Sequence, residues 1–244
     1  MGAFVILLKD NNMMKQLIHY YNKYCIGQFV EMNRCVDEYF YPKTKNGWLY
    51  LCVKGAHQYC IKNDAINSFI TNLIGININQ LQSQKYCDFE DLYAHIARCQ
   101  VKGIGDLTLY DTALRIGHVM HPCIYPKQYV YLARGAKKGA EILLGRKVGW
   151  REPIDVFRPY FGDMPSRCIE DFLCIMKDLL CKGGVINGVS IKGRSIYVNG
   201  ILRSTFCCDV ANNSFICPNA YDQNITAIDC ISDDCDNGDT HFDL

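Results

Sequence analysis

Apolar residues recur every three to four positions through most of the first 180 residues, the spacing of one helix face. Met14, Leu17, Ile18 and Tyr21 make one such stripe. Phe29, Met32, Cys35, Val36 and Tyr39 make a second, which stops before Pro42. Lys45-Asn46-Gly47 signals a turn, and Trp48 to Val53 reads as a short strand. A third helix is expected over Asn63 to Leu73. Asp88 stands as an N-cap ahead of a face made by Phe89, Leu92, Tyr93, Ile96 and Ala97.

Gly103-Ile104-Gly105 interrupts that helix. Leu109, Ala113, Ile116 and Met120 then trace a new face, with Thr108 and Asp111 spaced like a capping pair, and His121-Pro122 closes it. Pro126 opens a helix running toward Leu144, with Gly135 and Gly139 as candidate breaks. The segment from Asp163 to Cys181 places Ile169, Phe172, Leu173, Met176, Leu179 and Leu180 on one side and ends at Gly183-Gly184. The texture then changes. Asn187-Gly188, Lys192-Gly193 and Asn199-Gly200 separate short alternating runs between Val185 and Leu202, the pattern of a β-hairpin or small meander. The expected fold is therefore mainly α: a helical domain over 1–184, a β-hairpin appendage over 185–215, and a poorly ordered tail over 216–244.

Composition narrows the setting. The chain has 244 residues, 49% hydrophobic and 21% charged, enough for a sizeable core. Its apolar start, Ala3 to Leu8, is too short for a signal peptide or membrane span, and Ile6 does not suit a myristoylation signal. A cytoplasmic protein without membrane contact is expected. Its fifteen cysteines then read as reduced thiols, with Cys25, Cys35, Cys99 and Cys174 in helical patterns. The net charge of +1 hides an asymmetry. No Lys or Arg follows Arg203, whereas eight aspartates do, leaving +9 on residues 1–204. A polyanion would have to meet the body.

The device-like stretch is Val101-Lys102-Gly103-Ile104-Gly105 between two helical runs. Glycine permits positive φ and lets a phosphate approach without a Cβ in its path. The isoleucine would plug the turn, and the next helix would offer unpaired N–H groups and its positive dipole end. Helix, hydrophobic-x-Gly-hydrophobic-Gly, helix resembles the helix-hairpin-helix motif of DNA-binding and DNA-repair proteins, here over 88–120. The resemblance implies non-catalytic phosphate contacts through Lys102, Gly103, Ile104, Gly105 and Thr108 that carry no sequence information. Two departures stand out. Ala113 follows Gly105 by eight positions where the family has a small residue at about four, and Asp106 puts a negative charge beside the phosphate position. The longer strings "GIGDLTLYDTALRIG", "VYLARGAKKGA" and "IEDFLCIMKD" resemble a family of bacterial proteins over roughly residues 30 to 182, which implies one domain and no particular activity.

Arg134, Lys137, Lys138, Arg146, Lys147 and Arg151 fall close together, with glycines at 135, 139, 145 and 149 between them and Glu141 opposing. This run extends the expected phosphate contacts, with DNA favoured over RNA. Asp111 and Arg115 suit an i,i+4 ion pair. Lys102 and Asp111 do not match the positions of the lysine and aspartate in helix-hairpin-helix glycosylases, so no catalytic residue is assigned. His118, His121 and Cys123 read as local capping or core groups. The tail cysteines 207, 208, 217, 230 and 235 include no C-x-x-C pair, so neither metal nor cofactor is expected. Two other readings fit: a scaffold protein whose hairpin is structural, and a nucleic-acid-processing enzyme whose active site follows no familiar motif.

Overall fold

The computed structural model describes residues 11–25, 49, 52–53, 60–73, 86–120 and 122–205. Those residues are mainly helical, with small antiparallel sheets toward the C-terminal side. Helices α1 (Asn11–Tyr24), α2 (Asn63–Leu73), α3 (Phe89–Arg98) and α4 (Asp106–Val119) come first. Strand β1 (Tyr129–Tyr131), α5 (Arg134–Leu144) and β2 (Arg151–Pro153) follow. Then come the one-turn α6 (Arg158–Phe161), α7 (Ser166–Ile175), and strands β3 (Leu180–Cys181), β4 (Gly184–Val185), β5 (Val189–Lys192), β6 (Ser195–Val198) and β7 (Ile201–Thr205).

Strand β1 divides two hydrophobic cores. Successive strand side chains point to opposite faces. Val130 and Leu132 enter one core with α1, α5, α7 and the residues Val185, Val189, Ile196 and Val198. Tyr131 enters the other, with α2, α3 and α4. β1 pairs antiparallel with β2, Val130 opposite Glu152 and Tyr131 opposite Arg151. The expected β appendage thus shares a core with the helices rather than hanging from them.

The stripes account for most helices. Met14, Leu17 and Tyr21 are buried on α1, and Ile169, Phe172 and Leu173 on α7. Each such side chain contributes about 1.5–3 kcal/mol on burial. Asp88 caps α3, its carboxylate accepting from the Asp91 N–H at 2.9 Å. Helix α2 spans the expected residues.

Four expectations are corrected. No helix starts at Pro126: the chain first forms β1, and α5 begins at Arg134. Gly135 and Gly139 do not break α5. They let it approach α7, since a Cβ at Gly135 would stand 2.4 Å from the Cys174 Sγ and one at Gly139 2.1 Å from the Leu173 carbonyl oxygen. Helix α7 ends at Ile175, and a 3-10 turn over Lys177–Leu179 leads into β3. The expected strand at 48–53 has its described residues Leu49, Cys52 and Val53 in helical conformation and buried. Their i, i+3, i+4 spacing is that of a helix face. The stripe at 29–39 and the tail lie outside the described residues.

Candidate nucleic-acid interface

Helices α3 and α4 pack together across the turn at 99–105. Gly103 has φ +95°, a conformation that a β-branched residue resists. A Cβ there would also stand 3.2 Å from the Ala65 Cβ of α2. Ile104 is 3% exposed and fills the core between the helices. Its N–H donates to the Val101 carbonyl at 3.1 Å, and its carbonyl accepts from the Gln100 Nε2 at 2.6 Å. The turn is thus held from both sides.

Gly105 is the N-cap residue of α4, with φ −95° and no side-chain cap. A Cβ built on it would meet no atom within 4 Å. The first-turn N–H groups of α4 therefore face an opening that no side chain of Gly105 occupies. Lys102, Gly103 and Gly105 are exposed beside it. Asp106, also exposed, is the acidic residue of that first turn.

Thr108 departs from its expected place. α4 starts at Asp106, so Thr108 lies inside the helix, 5% exposed, and does not cap it. Its carbonyl accepts from the Thr112 hydroxyl at 2.7 Å. One turn on, Asp111 and Arg115 form the expected i,i+4 pair at 3.8 Å, both buried. Arg115 also donates to the Cys52 carbonyl at 2.9 Å, tying α4 to the 49–53 segment. Burial pushes the Cys52 thiol up to about 12, against the opposing pull of Arg115.

The basic run separates into two groups. Arg134, Lys137 and Lys138 are exposed on α5. Arg146 forms a two-pronged contact with Glu152, at 3.3 and 2.8 Å, and Lys147 meets Glu141 at 3.4 Å. The Arg146 guanidinium holds the Glu152 carboxyl below its ordinary value despite some burial, and the Gly149 N–H adds to this. Such exposed pairs are worth about 0–1 kcal/mol. The glycines at 135 and 139 serve helix packing and not ligand approach. α5 belongs to the first core and the hairpin to the second, so the two expected contact regions sit on different sides of β1.

Sequence reasoning missed an aromatic cluster between the hairpin helices and β1. Tyr131 is ringed by Phe89, Tyr93, Tyr110 and Trp150, with centroids 5.0–6.1 Å away. The Tyr110 and Tyr131 hydroxyls, Glu90 Oε1 and Trp150 Nε1 are buried there without an aligned hydrogen-bond partner. Glu90 and Tyr131 still lie close enough to influence each other, and burial raises both above their ordinary values. The strand pairing that assembles this cluster spans some twenty residues, so no local pattern announces it.

His118 hydrogen-bonds the Tyr125 hydroxyl at 2.5 Å, and the Cys123 thiol donates to the His118 carbonyl at 2.9 Å. His121 and the tail cysteines lie outside the described residues. Among the described residues, no group of three or more His, Cys, Asp or Glu side chains is placed to hold a metal, and none of the nine described cysteines is in a disulfide. No helix among them is long and apolar enough to cross a membrane. Comparison with protein-family models, curated proteins and solved structures gives no match.

Proposed function

We propose that this chain binds nucleic acid without catalysis and without reading its sequence, through the backbone of a helix-hairpin-helix and the lysines of α5. The observation that carries this reading is the opening at Gly105. An extended glycine with empty space where its Cβ would stand leads into a fourteen-residue helix whose first turn lacks a side-chain cap. That is the arrangement in which N–H groups and the helix dipole take an oxyanion. Lys102 flanks the opening, and Lys137 and Lys138 supply further charge on α5. The preference for DNA over RNA rests on the motif's resemblance.

Gly105→Ser tests it. The φ of −95° suits any residue, and serine is a favoured N-cap, so the variant should fold at least as well as the parent. Its hydroxyl would occupy the N–H groups that the phosphate needs. Duplex DNA affinity at low salt should fall about fivefold or more, at unchanged melting temperature. Asp106→Asn should strengthen binding by removing a charge that repels phosphate. Equal affinities for Gly105→Ser and the parent would end the reading.

A scaffold role is the second reading, and one observation favours it. Gly103 has a purely structural reason to be glycine, its φ and its contact with Ala65. Absence of nucleic-acid binding at low salt would leave that role in front.

A further inference from the structure

The loop from Gly145 to Trp150 joins the end of α5 to β2 and is gripped by two carboxylates, one from each flank. Glu152 of β2 accepts from both terminal nitrogens of Arg146, at 3.3 and 2.8 Å, and from the Gly149 N–H at 3.0 Å. Glu141, in the last turn of α5, accepts from the Lys147 ammonium and the Val148 N–H, each at 3.4 Å. Two consecutive cations and two consecutive backbone N–H groups are thus turned on oxygens that only accept.

A forked guanidinium, an ammonium and adjacent N–H groups are the donors that hold a phosphate. A carboxylate offers them the same kind of charged acceptor. The Arg146 guanidinium draws the Glu152 carboxyl below its ordinary value although burial works the other way, and the Gly149 N–H assists. The position therefore favours a negative oxygen over a neutral one.

The cations face solvent. The Lys147 side chain is 93% exposed and that of Arg146 47%, against 13% for Glu152. An anion can reach the guanidinium from outside, while Glu152 approaches it from the protein side. Gly145, left-handed at φ +64°, leaves room for the Lys182 stem, whose carbons lie 2.6–2.8 Å from where a Cβ would stand. This packing holds a third exposed lysine against the loop. Glu141 and Glu152 cancel the charges of Arg146 and Lys147, so an incoming anion gains most when one carboxylate gives way.

We propose that the 145–149 loop is a phosphate site which the chain fills with its own Glu152 and Glu141, and that a phosphate group binds there by displacing the Glu152 carboxylate from Arg146 and Gly149. A tethered carboxylate competes at an effective concentration of roughly millimolar, so the parent site responds weakly to dilute phosphate. Use of the site by a nucleic-acid backbone rests on the reading above, whereas its response to inorganic phosphate does not.

The test is thermal melting of the full chain in about 20 mM inorganic phosphate, against chloride of equal ionic strength. Glu152→Gln keeps the shape and removes the charge that fills the site. Phosphate should raise its melting temperature by about 2 °C or more, and that of the parent by clearly less. Adding Arg146→Gln to Glu152→Gln should abolish the gain. Affinity for duplex DNA at low salt should rise about threefold to tenfold in Glu152→Gln, with a salt slope steeper by about 1 for one added phosphate contact. Glu141→Gln leaves the Arg146 pair in place and should shift both readouts the same way by less, which keeps the test open if Glu152→Gln does not fold. Equal phosphate responses in the parent and both single variants overturn the site, as does a gain that survives loss of Arg146. A phosphate response without any change on DNA supports the site and assigns it to free phosphate. Failure of Gly105→Ser to weaken DNA binding strikes the hairpin reading and leaves this site standing.

Discussion

Tyr131 stacks on Tyr110, with ring centroids 5.0 Å apart and planes 20° from parallel, and neither hydroxyl has an aligned hydrogen-bond partner. The two rings join β1 to α4 across the second core. The stacking stabilises that junction, and the orphaned Tyr110 hydroxyl works against it. Leaving a buried hydroxyl unmade costs about 1–3 kcal/mol. Tyr110→Phe should therefore leave stability unchanged or raise it, whereas Tyr131→Ala should lose about 3–5 kcal/mol. Urea denaturation of both variants checks the pair. A loss above about 1 kcal/mol in Tyr110→Phe would show that the hydroxyl is satisfied after all.

The approach of α5 to α7 gives a sharper contrast between two glycines. A methyl at Gly139 meets the Leu173 carbonyl, which belongs to a helix backbone, whereas one at Gly135 meets the Cys174 side chain, which can turn aside. Gly139→Ala should cost about 1–3 kcal/mol or more by overpacking, and Gly135→Ala clearly less. Equal melting temperatures for the two variants would mean that the helices part more easily than their packing implies.

Local chemistry was legible in the sequence, and long-range pairing was not. Asp88, the face of α3 and the span of α2 followed from residues within one or two turns of each other. So did Gly103 and the plug Ile104. β1 and β2 are three residues each and pair across a helix, too short for either period to register. Pro126 therefore passed for a helix start. The basic run looked continuous along the chain, yet folding pairs Arg146 with Glu152 and Lys147 with Glu141. Thr108 looked like a cap because Asp111 follows it at the right spacing, and the helix instead begins three residues earlier at the glycine.

Glu170 on α7 makes stability depend on pH. Burial, followed by Asp171 and Asp111, holds its carboxyl well above the ordinary value. The folded chain thus keeps a proton that the unfolded chain releases near pH 4.3. Its contribution is fully present below that pH and is lost as pH rises toward the folded value. Glu170→Gln removes the proton exchange and keeps the shape. The variant should match the parent near pH 4 and become progressively more stable than it toward pH 7. Urea titrations across that range check this, and parallel pH profiles would show that Glu170 titrates alike in both states.

The acidic tail should compete for the basic surfaces. Residues 205–244 carry eight aspartates and no Lys or Arg, and seven of those aspartates fall in 216–244. β7 ends at Thr205 in the sheet that also carries Lys192 and Arg194. A tethered segment acts at an effective concentration that reaches roughly millimolar for short flexible linkers. Each exposed charge pair contributes only about 0–1 kcal/mol, so the competition is modest. Deleting residues 216–244 should raise affinity for duplex DNA about threefold to tenfold at low salt, and the gain should shrink as screening sets in. Titrating full-length and truncated protein side by side separates the outcomes. Equal affinities at low salt would leave the aspartates without a competitive role.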